Sequence, residues 1–458
     1  MLARCGTGLG LVGLAGLIGD TSDLRADANR RSGPLATRAP HHTPRARSVI
    51  HLYMNGGPSQ VDTFDSKPAL KTFEGQRPES ISGLKTENAT GGLMPSPFKF
   101  HRYGESGIEI SEIFENVGRC ADDLCVIRSM HTNVPNHEPS MFMMNSGHVQ
   151  SVRPSYGSWL LYGLGTENAN LPGYVVLGPG LPVNGAANWS SRFLPGIYQG
   201  THLNAGDPNS VLPNLKNTQL TSAAQREQLD LVQQLNRSQV ERVGTDPLLE
   251  ARIESLEMAF RMQAAAPEAF DLARESEATH TLYGINKGGK DFARNCLLAR
   301  RLVERGVRVV QVYYGNFQPW DTHGDNANQQ AKLSREVDPP IAALLQDLKL
   351  RGLLDETLVL WSGEFGRTPA SQGTGRDHNH WGFSAWLAGG GVKGGMTYGA
   401  TDDFGFKAVE KRVHPHDLHA TMLYLLGLDH EKLTYRYSGR DFRLTDVHGT
   451  VIHEILKA

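Results

Sequence analysis

Apolar runs of strand length recur along the chain, and most end in a polar stretch rich in Gly, Asn or Asp. Residues 48–54 lead into Asn55-Gly56-Gly57-Pro58-Ser59 and residues 124–130 into His131-Thr132-Asn133. Residues 307–314 run toward Trp320-Asp321-Thr322-His323, and residues 358–361 into Gly363-Glu364-Phe365-Gly366-Arg367. Uninterrupted apolar runs of this length predict strands buried on both faces. Shorter runs at 173–180 and 383–388 add two more. Between them the period becomes helical. Leu297, Leu298, Leu302 and Val303 predict a helix over 291–305 that Gly306 stops, and another is predicted over 327–349. Ile110, Ile113, Phe114 and Val117 predict a helix over 109–122. Apolar stripes through Leu229, Val232 and Leu235, then Ile253, Leu256 and Phe260, predict helices over 223–243 and 247–262 that pack on the sheet or on each other, with a helical piece at 267–274. Strands alternating with helices define an α/β fold with a mostly parallel central sheet flanked by helices. A loop and helical insertion occupies 181–290, and its first part is placed to cover a site.

Composition narrows the picture. The chain has 458 residues, 21% of them charged, with a net charge of -2, so no basic surface for nucleic acid is implied. Residues 1–20 hold Arg4 and an apolar, Gly-rich stretch from Gly8 to Gly19. At about a dozen residues it is shorter than the roughly 20 needed for a membrane span. It fits an export signal of twin-arginine type with a truncated n-region, for a periplasmic or extracellular protein with no stable membrane span. Residues 21–47, rich in Arg, Ala, Pro and His, read as a disordered linker to a domain over 48–458. Cys120, Cys125 and Cys296 leave a Cys120–Cys125 bridge, or either with Cys296, open.

The candidate chemistry lies in three Gly-flanked clusters between Trp320 and Trp381. Asp321, His323, Glu364, Asp377, His378 and His380 offer the oxygen and imidazole ligands that a divalent metal accepts, zinc, manganese or calcium, and Asn55 at a strand end joins them. Asp321-x-His323 and His378-x-His380 each present both side chains on one side if locally extended. Hydrogen bonding among these groups without an ion is the competing reading. Arg367 is either an anion clamp or an ion-pair partner of Asp377 or Glu364. His137 and His148 frame an apolar helix start, His148 reading as a surface or capping histidine. Ser59 lacks a nucleophile-elbow sequence and reads as a turn or cap, as Asp417 does.

Four stretches resemble the domain-of-unknown-function family 1501 of the alkaline phosphatase and sulfatase superfamily. They are Met54 to Ser59 with Asp62-Thr63-Phe64-Asp65; Phe270 to Glu275 through Tyr283-Gly284; Trp320 to His323; and Trp361 to Pro369 with Asp377 to Gly382. The resemblance implies an alkaline phosphatase-like sheet carrying a metal site for the oxygens of a phosphate or sulfate ester, with a nucleophile at a helix N-terminus. His137-Glu138-Pro139-Ser140 is similar in spacing to the sulfatase signature, which puts His137 at the nucleophile's place and Met141 at the arginine's. Phe365 stands where relatives carry a ligating residue. The expected protein is an exported metal-dependent hydrolase acting on a small-molecule or polysaccharide ester, with His137 as nucleophile or general base. The other reading is a non-catalytic relative that binds a ligand or surface partner in the same cleft.

Overall fold

The computed structural model describes residues 33–83, 86–204, 219–244, 247–285 and 291–458. The stretch read as an export signal lies outside them. Ten strands matter for the site: β1 (Ser48–Tyr53), β2 (Leu124–Met130), β3 (Tyr174–Leu177), β4 (Thr201–Leu203), β5 (Val309–Tyr313), β6 (Thr357–Ser362), β7 (Gly366–Gln372), β8 (Gly375–Asn379), β9 (Phe383–Ala388) and β10 (Met396–Tyr398). Eight of them form one sheet in the order β10-β2-β9-β6-β1-β5-β3-β4. Only β9 runs antiparallel to its neighbours β2 and β6; every other pairing is parallel. The carboxyl ends of β1, β2, β5 and β6 therefore open on the same edge, where an α/β sheet presents its ligand crevice.

Helices cover both faces because the central strands are apolar on both. Val49 and Tyr53 of β1 join a core with α1 (His137–Ser146), α2 (Tyr156–Leu164) and, later in the chain, the helix Pro415–Leu425. Two long helices, α3 (Ser222–Val243) and α4 (Pro247–Phe270), form the helical part of the insertion. Ile50 and Leu52 face the opposite core, built with α5 (Asp291–Glu304) and α6 (Asn326–Leu350). Pro415–Leu425, now α7, starts with a capping box in which Asp417, read as a cap, accepts from His414 N–H at 2.9 Å.

The structure departs from the periodicity in three places. Residues 109–122 are not one helix. Ile108–Ser111 pairs as a strand with Phe100–Tyr103, followed by single turns at Glu112–Phe114 and Glu115–Gly118. Ile108 and Ile110 are buried at strand spacing, and the N–H groups of Asn116 and Val117 are captured by Asp338 at 3.0 and 2.7 Å. The pieces at 247–262 and 267–274 are one helix to Phe270, with Pro267 inside it, and a short turn after it. From Gly33 on, the expected linker is bonded onto the body: His41 N–H donates to Gly427 O at 2.8 Å, Ala46 N–H to Leu425 O at 2.9 Å, and Leu35 is buried. The segment is held by these backbone bonds, while Arg38, Pro40, Pro44 and Arg47 stay exposed. Cys120, Cys125 and Cys296 are buried free thiols. Among the described residues no helix is long and apolar enough to cross a membrane.

Candidate metal centre

The site is assembled by the loops that leave these strands. After β1 the chain turns through Gly56 and Gly57, which have φ of 117° and 79°. A Cβ on Gly56 would lie 2.6 Å from the backbone nitrogens of Trp320 and Asp321, and one on Gly57 would lie 2.8 Å from the Phe365 ring. Only glycine lets the three loops touch. Gly56 N–H donates to Glu364 Oε1 at 2.9 Å, which fixes that carboxylate after β6. The hairpin β7–β8 then returns Asp377 and His378 to the same place, and α1 brings His137 at its first turn, with Pro139 close behind where a missing N–H costs nothing.

Four nitrogens converge on one oxygen, Asp321 Oδ1. His323 Nε2 lies at 2.9 Å, His378 Nε2 at 3.1 Å, His137 Nε2 at 3.3 Å and Arg367 Nη2 at 2.6 Å. A carboxylate oxygen has two lone pairs, so it cannot serve four donors well. The other nitrogen of each imidazole is turned to an acceptor. His137 Nδ1 donates to Glu364 Oε1 at 2.6 Å, His323 Nδ1 is bonded to Gln372 Oε1, and His378 Nδ1 lies against Glu87 Oε2. For His137 and His323 an acceptor on Nδ1 leaves Nε2 to carry a lone pair, which is how ligating histidines are oriented, whereas His378 Nδ1 makes no hydrogen bond. His137 Nε2 and Glu364 Oε2 are buried without a hydrogen-bond partner.

Two triads bring their ligating atoms within 4.8 Å of one another, His137–Asp321–His378 and His323–Asp377–His378. Burial opposes ionisation of Asp321, yet its close contacts with His137, His323 and His378 and the charge of Arg367 outweigh it and hold its carboxyl far below the usual range. Burial works against charge on His137 too, but Asp321 and Glu364 prevail and push it up to about 9. Without a cation, that imidazole carries both protons at neutral pH and has no lone pair with which to act as base or nucleophile. His323 is raised, chiefly by Asp321, whereas burial lowers His378.

The sequence candidates divide accordingly. Asp321, His323, Asp377 and His378 come together, and His137 joins them although it is far away in sequence. Glu364 holds His137 Nδ1 and Gly56 N–H. Arg367, fully buried, donates to Gly57 O at 2.9 Å, to Gly56 O and to Asp321, so its guanidinium is committed to the loops rather than open to a substrate anion. Asn55 spends its amide nitrogen on Gly315 O and Phe317 O at 2.9 and 2.6 Å, while its Oδ1 is buried without a partner. The pairing of His378 with His380 is corrected. β8 ends at Asn379, whose side chain turns the chain by accepting from Trp381 N–H at 3.1 Å and donating to Gly382 O at 2.9 Å. His380 lies tilted against Trp381 with ring centroids 4.5 Å apart, outside both triads, and burial lowers its pKa to about 4. His148 makes only a local turn contact with Gln150. Phe365 lies under the imidazoles, its ring 4.8 Å from His137 and 4.6 Å from His378.

Glu87, Asn88 and Gln372 are the partners that sequence reasoning missed. They are ordinary polar residues in loops or on a strand, with no periodicity or motif to mark them. Asp62 and Arg376 matter in another way. Both are fully buried and paired at 2.8 and 3.0 Å, with Ser59 and Asn326 also donating to Asp62. Ser59 is thus a turn residue, and the pair ties the first loop to the hairpin that carries His378. Asp62→Ala is expected to destabilise the protein by about 3–5 kcal/mol by stranding Arg376, read as a shifted urea midpoint. Asp62→Ala with Arg376→Met should recover a large part of that loss.

Fold and site together define an α/β protein with a carboxylate–imidazole centre at the carboxyl edge of its sheet. The chain belongs to the family described as Protein of unknown function (DUF1501), whose model matches residues 46–456. No curated protein matches it. Solved structures that it resembles include Ps i-CgsB in complex with k-i-k-neocarrahexaose, at 11% identity and a TM-score of 0.38 over 83% of this chain and 72% of that one. The PsFucS1 sulfatase from Pseudoalteromonas sp. gives 12% and 0.38 over 89% and 70%, and a TAB5 alkaline phosphatase variant with magnesium bound gives 10% and 0.34 over 84% and 99%. These overlaps are too loose to carry residue roles or chemistry.

Proposed function

We propose that this centre holds a divalent metal ion through His137, Asp321 and His378, with His323 beside them, and that the protein is an exported hydrolase of sulfate or phosphate esters, including polysaccharide-linked ones. The observation that carries the reading is the crowding of three imidazole nitrogens and a guanidinium on Asp321 Oδ1. A cation among those nitrogens relieves the crowding and uses the lone pairs that Glu364 and Gln372 direct inward. The donor set favours zinc or manganese over calcium, which prefers all-oxygen ligation. Such an ion supplies neutralisation of charge on an ester oxygen and acidifies water. Arg367 holds Asp321 in place. His323, its side chain 34% exposed against 8% for His137 and 6% for His378, is the imidazole a substrate meets first. The apolar, Gly-rich stretch at 8–19 supports export.

Purified protein reconstituted with zinc or manganese should retain about one equivalent and cleave nitrophenyl sulfate, phosphate or phosphodiester. His137→Ala should lose more than the roughly 10–100-fold in metal affinity that removing an outer partner costs. Ion retention with no turnover on the whole panel would instead favour a ligand-binding relative, a reading supported by the committed Arg367.

A further inference from the structure

Phe317 is costly to the fold in two ways. Its backbone has φ of 50°, in the left-handed region that a bulky side chain avoids and glycine enters freely. Its ring is 69% exposed, so little packing offsets that strain. The conformation is imposed from both sides: Phe317 N–H donates to Leu181 O at 3.0 Å, and Phe317 O accepts from Asn55 Nδ2 at 2.6 Å. A glycine would keep those bonds and lose the strain, so neither the backbone nor the core calls for an aromatic ring at this position.

The loop sets that ring beside the centre. Asp321 N–H donates to Gln318 O at 3.0 Å, closing a four-residue turn whose end Cα atoms lie within about 7 Å. One further step of about 3.8 Å reaches Phe317, so its Cα lies within about 11 Å of that of Asp321. Leu181, 47% exposed, belongs to the segment that bridges to Phe317 at Pro182. Asn184 of the same segment donates Nδ2–H to Glu138 O at 2.9 Å, on the first turn of α1. The segment that carries Leu181 thus joins the chain that delivers Asp321 to the helix that delivers His137.

We propose that Phe317 and Leu181 form an apolar wall at the mouth of the centre, against which the face of a sugar ring lies when its ester enters. The inference rests on the ester-hydrolase reading and narrows it to sugar esters. The chain neighbours Asn316 and Gln318, and Pro182 and Val183 beyond Leu181, carry no charge, so the wall offers nothing to a second anionic group. A pyranose presents C–H groups on its faces and hydroxyls at its rim. The C–H face suits the electron-rich face of a phenyl ring, and the rim suits neighbouring amides.

The probes are glucose 6-phosphate and glucose 6-sulfate, with inorganic phosphate and sulfate reporting on the centre alone, all on zinc-loaded protein. In saturation-transfer NMR the ring C–H protons of the sugar esters should take up saturation from the unaltered protein. Phe317→Ala should weaken sugar-ester binding about tenfold while metal content and affinity for the inorganic anions hold, and Phe317→Tyr should restore it. Phe317→Gly should lose the sugar esters as alanine does, yet hold or raise the urea midpoint, because glycine relieves the left-handed backbone. Equal weakening of sugar esters and inorganic anions, or a lower midpoint in Phe317→Gly, would show that the ring only shapes the loop of Asp321 and would overturn the wall. Undiminished sugar-ester binding in Phe317→Ala overturns it too. Binding that depends on Phe317 but leads to no cleavage removes the hydrolase reading and leaves the wall standing. Cleavage of nitrophenyl esters without any binding of the sugar esters does the reverse.

Discussion

Asp321→Ala is expected to abolish metal binding and to cost about 3–5 kcal/mol of stability, because it strands a charge that no other carboxylate among the described residues meets at contact distance. Arg367 is fully buried, and its other contacts are the carbonyl oxygens of Gly56, Gly57 and Arg376. Asp321 is the carboxylate it touches, at 2.6 Å. Removing that carboxylate also releases the Nε2 atoms of three imidazoles at once. Urea denaturation in the presence of a chelator separates the two effects, since a loss caused by the missing ion alone disappears when both proteins are metal-free. If the metal-free variant is as stable as the metal-free parent, the view of Asp321 as the partner of a buried guanidinium fails. Asp321→Ala combined with Arg367→Met should recover stability without recovering the ion, because a methionine fills the site and needs no counter-charge.

Acid is expected to unfold this protein at a pH well above the range in which its carboxylates titrate. His51 lies on β1 with both ring nitrogens engaged, Nδ1 by Tyr156 OH at 3.0 Å and Nε2 by Ser362 Oγ at 2.9 Å. His419 on α7 donates Nε2–H to Met144 O at 2.9 Å, and its Nδ1 is buried without a partner. Burial, helped by repulsion from His419, lowers His51 to about 3, and burial, with repulsion from His416 and against the bond to Met144, lowers His419 to about 4, against 6.5 for an exposed imidazole. Both folded-state values are depressed, so the stability that neutral His51 and His419 contribute is fully present above pH 6.5 and falls as pH drops toward 4. In that window the unfolded chain takes up protons that the native core refuses. Each imidazole steepens the loss by about 1.4 kcal/mol per pH unit, so the pair gives about 2.7. Urea midpoints measured from pH 7 to pH 4.5 should show this slope, and His51→Asn with His419→Gln should flatten it. An unchanged slope in the double variant would assign the acid sensitivity elsewhere.

The fold was legible because its signal is local. Continuous apolar runs at 48–54, 307–314 and 358–361 report strands buried on both faces whatever the rest of the chain does, and all three lie side by side in the sheet centre. The stretch over 109–122 misled for a related reason. Ile110, Ile113, Phe114 and Val117 fit a helical stripe, yet pairing with Phe100–Tyr103 and capture by Asp338 decided otherwise, and both partners are remote in sequence. The extended spacing of His378 and His380 failed because Asn379 ends the strand between them.

The cluster from Trp320 to Trp381 could be picked out by residue type alone, since imidazoles and carboxylates crowd there beside glycines at strand ends. Sequence by itself thus determined the class of fold and most of the groups that gather at the carboxyl edge of the sheet. Which atoms meet was decided only in three dimensions. His137 reaches Asp321 because β2 and β5 end on the same edge. Arg367 turns inward because three carbonyl oxygens and Asp321 wait there, and Asn88 closes on Asp377 from a loop without any motif. Hydrogen-bond directions and shared lone pairs depend on positions fixed to fractions of an ångström, and only the packed sheet and its loops supply those.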